Sequence, residues 1–243
     1  MTEPPAQRLL RPLVWVSRTL PAARDSAGRL AAHGYATLVS PLLRVAFARS
    51  APDLRGVGTL VFTSRNGVAA FVARASERRF TVFAVGDATA DAARRAGFPV
   101  VASAAGDVGD LRRLMLEAGR RGDGVVLRVG AEEPAGTLAA DLAAAGFAVA
   151  DWPAYRTVAI GAGRVLAQIR ARGRDPDAVL IYSPKAARRL SSLCEARSTA
   201  PRTIVCISAA AAAELPTDVA RRARVAERPD EASLFAALGG RPV

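Results

Sequence analysis

Short apolar runs, each followed by a polar turn and then an amphipathic stretch, recur along the whole chain. The clearest example is TLVFTSRNGVAAFV, residues 59–72. Leu60, Val61 and Phe62 form a strand-like run, and Thr63 and Ser64 place hydroxyl oxygens where a helix N-cap belongs. Val68, Phe71 and Val72 then take the i, i+3, i+4 spacing of a helix face turned toward a sheet. The same reading predicts strand 81–85 and helix 88–96 stopped by Gly97, strand 99–102 and helix 108–118, then strand 124–129 and helix 135–145 stopped by Gly146, with strand 147–150 last. Upstream it predicts strand 13–17, helix 22–33 before Gly34, and strand 35–39. Downstream come helix 162–171, strand 178–182, helix 184–193, strand 203–207, helix 209–215, strand 223–226 and helix 231–238. Alternation at this spacing predicts an α/β protein built on parallel sheets covered on both faces. Residues 1–12, rich in Pro and Arg, are expected to be loosely ordered.

The pattern also repeats at long range. TLVFTSRNGVAAF aligns with AVLIYSPKAARRL, setting Ser64 against Ser183. TVFAVGDATADAA aligns with TIVCISAAAAAEL, setting Gly86 against Ser208, and Asp107 falls against Asp230 in the next unit. The fourth unit, GVVLRVG with its helix, matches the start of the chain, Gly146 against Gly34. The expected organisation is two similar domains, one continuous over 46–150 and one split between 1–40 and 158–243. Segments 41–45 and 151–157, both extended, cross between them as a two-stranded β linker. Two such domains on a double linker predict a ligand site in an interdomain cleft, lined by the loops at the carboxyl ends of the strands.

Composition narrows the chemistry. The single histidine, His33, lies beside a helix-stop glycine and reads as a surface residue, which leaves no Ser–His or Cys–His pair and no metal-ligand cluster. No metal and no cofactor are expected. Cys194 and Cys206 read as small buried apolar residues. No G-x-G-x-x-G or Walker A run follows any strand, which argues against dinucleotides and P-loop nucleotides. The formal charge of +12 comes almost wholly from arginine, since Lys185 is the only lysine. These arginines are scattered in pairs along predicted helices without an aromatic-flanked stripe, so an anionic partner is expected, DNA being only one candidate and no specific nucleic acid being indicated. Arg18, Arg65, Arg128 and Lys185 add charge near the strand ends, beside loops rich in hydroxyls. No apolar run is long enough to span a bilayer and no signal-like segment opens the chain, so a cytoplasmic protein without a membrane partner is expected.

TSRNGV after the first strand of the middle domain, AVGDATADAARRAGF after the second, and YRT in the second crossing resemble the uroporphyrinogen-III synthase family. The split first domain and paired linker are similar to that family as well. The resemblance implies a cofactor-free lyase. Its substrate would be the polycarboxylate tetrapyrrole hydroxymethylbilane, closed to uroporphyrinogen III with loss of water and inversion of the last ring. A monomer is expected, with a transient hand-over from the upstream bilane-forming enzyme. By motif, Tyr155 is the catalytic candidate and Thr63, Ser64, Gly86, Thr89 and Ser183 are substrate-binding candidates; Arg18, for its charge at a strand end, and Ser208, in the place of the family threonine, are added to them. One departure is visible: the family's Gly-Pro-Thr-Thr-like turn reads Ser208-Ala209-Ala210-Ala211 here. The competing reading is a non-catalytic two-domain binder or sensor of an anionic small molecule.

Overall fold

The computed structural model describes residues 11–133, 136–195 and 201–239. Most of the expected N-terminal stretch 1–12, and the first residue of the helix expected at 135, lie outside the described residues. The chain divides into two units, 1–44 with 158–243, and 45–157.

The first unit holds β1 (Leu13–Val16), α1 (Ala22–Ala32) and β2 (Ala36–Val39), and both units share the strand β3 (Leu43–Phe47). The second unit continues with β4 (Val57–Phe62), α2 (Arg65–Val72), β5 (Thr81–Ala84), α3 (Asp87–Arg95), β6 (Val100–Ser103), α4 (Val108–Ala118), β7 (Val125–Ala131), α5 (Leu138–Ala144) and β8 (Val149–Ala159). The first unit then resumes with α6 (Ala162–Arg170), β9 (Ala178–Ile181), α7 (Pro184–Glu195), β10 (Thr203–Cys206), α8 (Ala209–Ala212), α9 (Thr217–Ala220), β11 (Ala223–Val225) and α10 (Glu231–Ala236).

Each unit is a sheet between helical layers. One sheet runs β11-β10-β9-β1-β2 and the other β3-β8-β7-β4-β5-β6. The pairs β1–β2, β1–β9, β9–β10, β10–β11, β4–β5, β4–β7, β5–β6 and β7–β8 are all parallel. Strands of parallel sheets are buried on both faces, and β1 and β9 are apolar and buried at every position. In the second unit Leu60, Phe62, Leu127 and Val129 face one core, while Val61, Phe83 and Val126 face the other with Leu111, Met115 and Leu142. Helix ends follow local chemistry. Asp107 and Asp110 form a capping box at the start of α4, and Gly97 and Gly146 stop α3 and α5 at φ 91° and 89°, where a side chain would be strained.

Several expectations change. The helix expected at 209–215 shortens to α8, Ala209–Ala212, since Pro216 disfavours helical backbone just before it, and a separate helix, α9, follows. Strand 147–150 and crossing 151–157 form one strand, β8. Val72 is 42% exposed, since the buried face of α2 is Gly67, Val68, Ala70 and Phe71. His33 is exposed at the end of α1, as read, with its ring edge-on to Phe235.

No disulfide joins the two cysteines; Cys206 is fully buried and Cys194 partly so. Burial pushes the Cys206 thiol up to about 11. Only the thiolate attacks an electrophile, so Cys206 should stay unlabelled by a maleimide at pH 8 in the native protein and react once unfolded. Labelling of Cys206 at equal rates in both states would contradict its placement.

Candidate active site

Ligands of open parallel sheets gather beyond the carboxyl ends of the strands, where the connections leave in opposite directions. In the second unit that point lies between β4, which leads toward β5 and β6, and β7, which leads to β8. A cavity of about 370 Å³ opens there. Its lining includes Thr63 beyond β4, Arg128 and Ala131 on β7, Thr137 before α5, and Asp151 and Tyr155 on β8.

Ser64 is held by its own helix. Its backbone is extended, and its Oγ accepts the Gly67 N–H at 3.2 Å, capping α2. The same Oγ lies 2.8 Å from the Tyr155 hydroxyl, and either oxygen can donate. With Gly67 N–H donating to Ser64, the serine proton is free to point at the tyrosine oxygen, so the helix end polarises the pair. Gly67 is itself dictated by packing: a Cβ there would sit 2.7 Å from the Val129 carbonyl oxygen. Gly67→Ala is therefore expected to destabilise the protein by about 1–3 kcal/mol through forced separation of α2 from β7. Urea unfolding measures it; an unchanged midpoint would show that the helix can shift freely.

Arg128 departs most from expectation. Rather than adding free charge at a loop, its side chain is 4% exposed within β7, with Nε 2.6 Å from Asp151 Oδ1. Its Nη2 donates to Asp151 Oδ2 at 2.7 Å. Nothing local to either residue signals this pairing. Only the alignment of two adjacent parallel strands sets Arg128 beside Asp151.

The remaining candidates divide. Thr63 lines the cavity with Tyr155, and Ser64 meets Tyr155. Ser183 caps α7 through the Ala186 N–H at 3.2 Å, and Ser208 caps α8 through the Ala211 N–H at 3.3 Å. Gly86 precedes α3 in extended conformation, and a Cβ there would make only ordinary contact with Gly106 at 3.5 Å, so packing does not demand glycine. Thr89 is 5% exposed on the buried face of α3; it belongs to the core rather than to an open loop. Arg18 is engaged within the first unit, 3.1 Å from Glu231 Oε1 and 4.7 Å over the Tyr182 ring centroid. Burial raises the Glu231 carboxyl, but hydrogen bonds from Ser26 and Arg29 and the neighbouring Arg18 charge outweigh it and hold it below the usual range. That carboxylate, 213 residues from Arg18 in sequence, carried no local signal.

A second cavity, of about 400 Å³, opens in the first unit beside Asp175, Pro176 and Asp177 before β9 and Pro201 and Arg202 before β10. It sits at the amino end of the strands, the wrong end for the ligand rule of parallel sheets.

Fold and site thus define a protein of two parallel α/β units that presents a capped hydroxyl and a tyrosine at the carboxyl edge of one sheet. The model of the family described as uroporphyrinogen-III synthase HemD matches residues 24–236. The chain belongs to the uroporphyrinogen-III synthase family, enzymes of tetrapyrrole biosynthesis. Among solved structures, it is similar to uroporphyrinogen-III synthetase from Helicobacter pylori, with 20% identity, 95% of this chain and 100% of that chain covered, and a TM-score of 0.62. It is also similar to a mutant uroporphyrinogen III synthase from the extreme thermophile Thermus thermophilus, with 20% identity, 93% and 96% covered, and a TM-score of 0.50. At such identity the likeness establishes the α/β fold. No curated protein sequence matches the chain. Among the described residues no helix is long and apolar enough to cross a membrane.

Proposed function

We propose that this protein closes hydroxymethylbilane to uroporphyrinogen III, with loss of water and inversion of the terminal pyrrole ring. The observation that carries the reading is the Tyr155 hydroxyl, 2.8 Å from Ser64 Oγ, at the rim of the carboxyl-edge cavity. The cavity is large enough for one substituted pyrrole, and the hydroxymethyl end of the bilane is the part that must meet Tyr155. The pyrrole nitrogen lone pair expels the hydroxyl, which takes the Tyr155 proton and leaves as water. The N–H proton of the resulting azafulvenium returns to Tyr155, with Ser64 donating to the phenolic oxygen in between. The substituted α-carbon of the last ring then attacks the azafulvene methylene, and its ring N–H proton passes to the azafulvene nitrogen. The spiro intermediate breaks the bond from that carbon to its original bridging carbon, the neighbouring ring's N–H proton returning to the last ring's nitrogen. The last ring's free α-carbon bonds to that bridge and gives its proton to the neighbouring nitrogen, which leaves the ring inverted. The bilane is reactive by itself, so the gain lies in holding it and directing attack more than in a strong acid.

Thr63 is proposed to contact the substrate beside Tyr155. Gly86, Ser183, Ser208 and Arg18 are proposed as further contacts for its carboxylates; Arg18 would exchange Glu231 for one of them. A cytoplasmic monomer receiving the bilane from the enzyme that forms it is the proposed setting. The test is a coupled assay with freshly made hydroxymethylbilane and separation of product isomers. Type III above the spontaneous type I background supports the reading. Type I alone sinks it and favours a non-catalytic binder.

A further inference from the structure

The strand that carries Tyr155 is irregular just before it. β7 and β8 pair from Val126 with Val149 to Gly130 with Pro153, and then the register slips so that Ala131 faces Tyr155. Pro153 has no N–H for the ladder, which confines proline to edges and bulges, and β3 on the other side of β8 rules out an edge. A slip of one residue re-aims every side chain beyond it. The direction of Tyr155 is therefore set by a bulge.

Arg128 lies across that bulge. Its guanidinium grips Asp151, two residues before Pro153, with both carboxylate oxygens engaged at 2.6 and 2.7 Å. The same Nη2 donates at 3.4 Å to the carbonyl of Ala131, the first residue past the slip. A Cβ on Gly130 would fall 2.4 Å from Arg128 Nη1 and 2.9 Å from Thr63 Oγ1, so this glycine leaves the space in which the guanidinium sits. Beyond the slip, Glu132 N–H donates to the Tyr155 carbonyl at 2.8 Å and regular pairing ends. The fork thus ties β8 before the slip to β7 beyond it.

We propose that Arg128, clamped on Asp151, is a positioning residue that sets the Tyr155 hydroxyl against Ser64, acting through the bulge and not on the substrate. The proposal rests on the reading of Tyr155 as the hydroxyl that serves the leaving group. Its geometric content is measurable separately.

Arg128→Lys keeps the charge and removes the fork. Its kcat should fall about ten- to a hundred-fold, the scale of a misplaced catalytic group, with KM within about twofold. Combined with Tyr155→Phe, it should add no further loss, because both changes remove one function. A KM increase matching the loss, or full additivity with Tyr155→Phe, would overturn the proposal in favour of substrate contact or a general folding role. Should the lysine variant not fold, Arg128→Met with Asp151→Val removes both charges together, leaves none buried unpaired, and should give the same kinetics. The arm free of the assay is fluorine NMR of protein carrying 3-fluorotyrosine at its three tyrosines, with Tyr155 assigned through Tyr155→Phe. Arg128→Lys and Ser64→Ala should move the Tyr155 line in the same direction and leave Tyr35 and Tyr182 in place. An unmoved Tyr155 line overturns the proposal whatever the assay gives. A moved line in a protein that yields only type I product supports the clamp and removes the reaction assigned to it.

Discussion

Tyr155→Phe is expected to lower turnover about a hundred-fold or more, with KM little changed, as for loss of a proton donor used only as the hydroxyl departs. The ring remains, so its packing against the core of the second unit is kept. What disappears is one hydroxyl and its bond to Ser64, which already has the Gly67 N–H as a partner. Thermal unfolding should therefore move little, and loss of activity can be read as chemistry. The product ratio gives a second measure. Substrate released from a slow enzyme closes spontaneously, so the type I fraction should rise as type III formation slows. Ser64→Ala is the informative comparison, because it removes the cap of α2 as well as the tyrosine partner and should add about 0.5–2 kcal/mol of destabilisation. Unchanged turnover in Tyr155→Phe would make Tyr155 an aromatic filler at the end of β8.

The parts of the molecule legible in the sequence are those whose causes are local. Strand-turn-helix units show as apolar runs followed by Ser64, Asp107, Ser183 or Ser208 as caps, and all four make that bond. The internal repeat is legible too, because it rests on those same units. Aligning β4 with β9, β5 with β10 and the chain start with β7 is the alignment under which β6-β5-β4-β7-β8 and β11-β10-β9-β1-β2 have one order. What was not legible depends on partners far along the chain. Arg128 looked like charge at a strand end, and only the β7–β8 register reveals Asp151 beside it. Arg18 looked available until α10 brought Glu231 to it. Pro153 was visible as an interruption, but only the β7–β8 pairing shows that it falls at a register slip. Thr89, read as part of a loop, lies instead on the buried face of α3 with 5% of its surface exposed, an inward direction that no local signal gives.

Phe71→Ala is expected to be the most destabilising single truncation considered, at about 3–5 kcal/mol, the usual range for a buried phenylalanine. Phe71 has no exposed surface. Its ring meets Phe62 at 6.0 Å, Phe80 at 6.2 Å and Trp152 at 6.3 Å edge-on, and Phe98 at 5.8 Å tilted. Edge-to-face pairs add to the burial term, and neighbours held by their own strands cannot all collapse into the void. The two tryptophans make the measurement specific, because Trp15 lies in the first unit and Trp152 in the second. In a Trp15→Phe background, urea unfolding followed by Trp152 emission reports the second unit, and Phe71→Ala should shift its midpoint sharply. Phe71→Leu keeps most of the volume and should lose less, which covers the event that the alanine variant does not fold. Val72→Ala is the control one residue on. That side chain is 42% exposed, so its loss should stay within about 0.5 kcal/mol. A Phe71→Ala loss as small as that of Val72→Ala would mean that the aromatic cluster does not hold the second unit together. Turnover in Phe71→Ala should fall only as far as the unfolded fraction grows, because Ser64 is placed by the first turn of α2 and Tyr155 by β8.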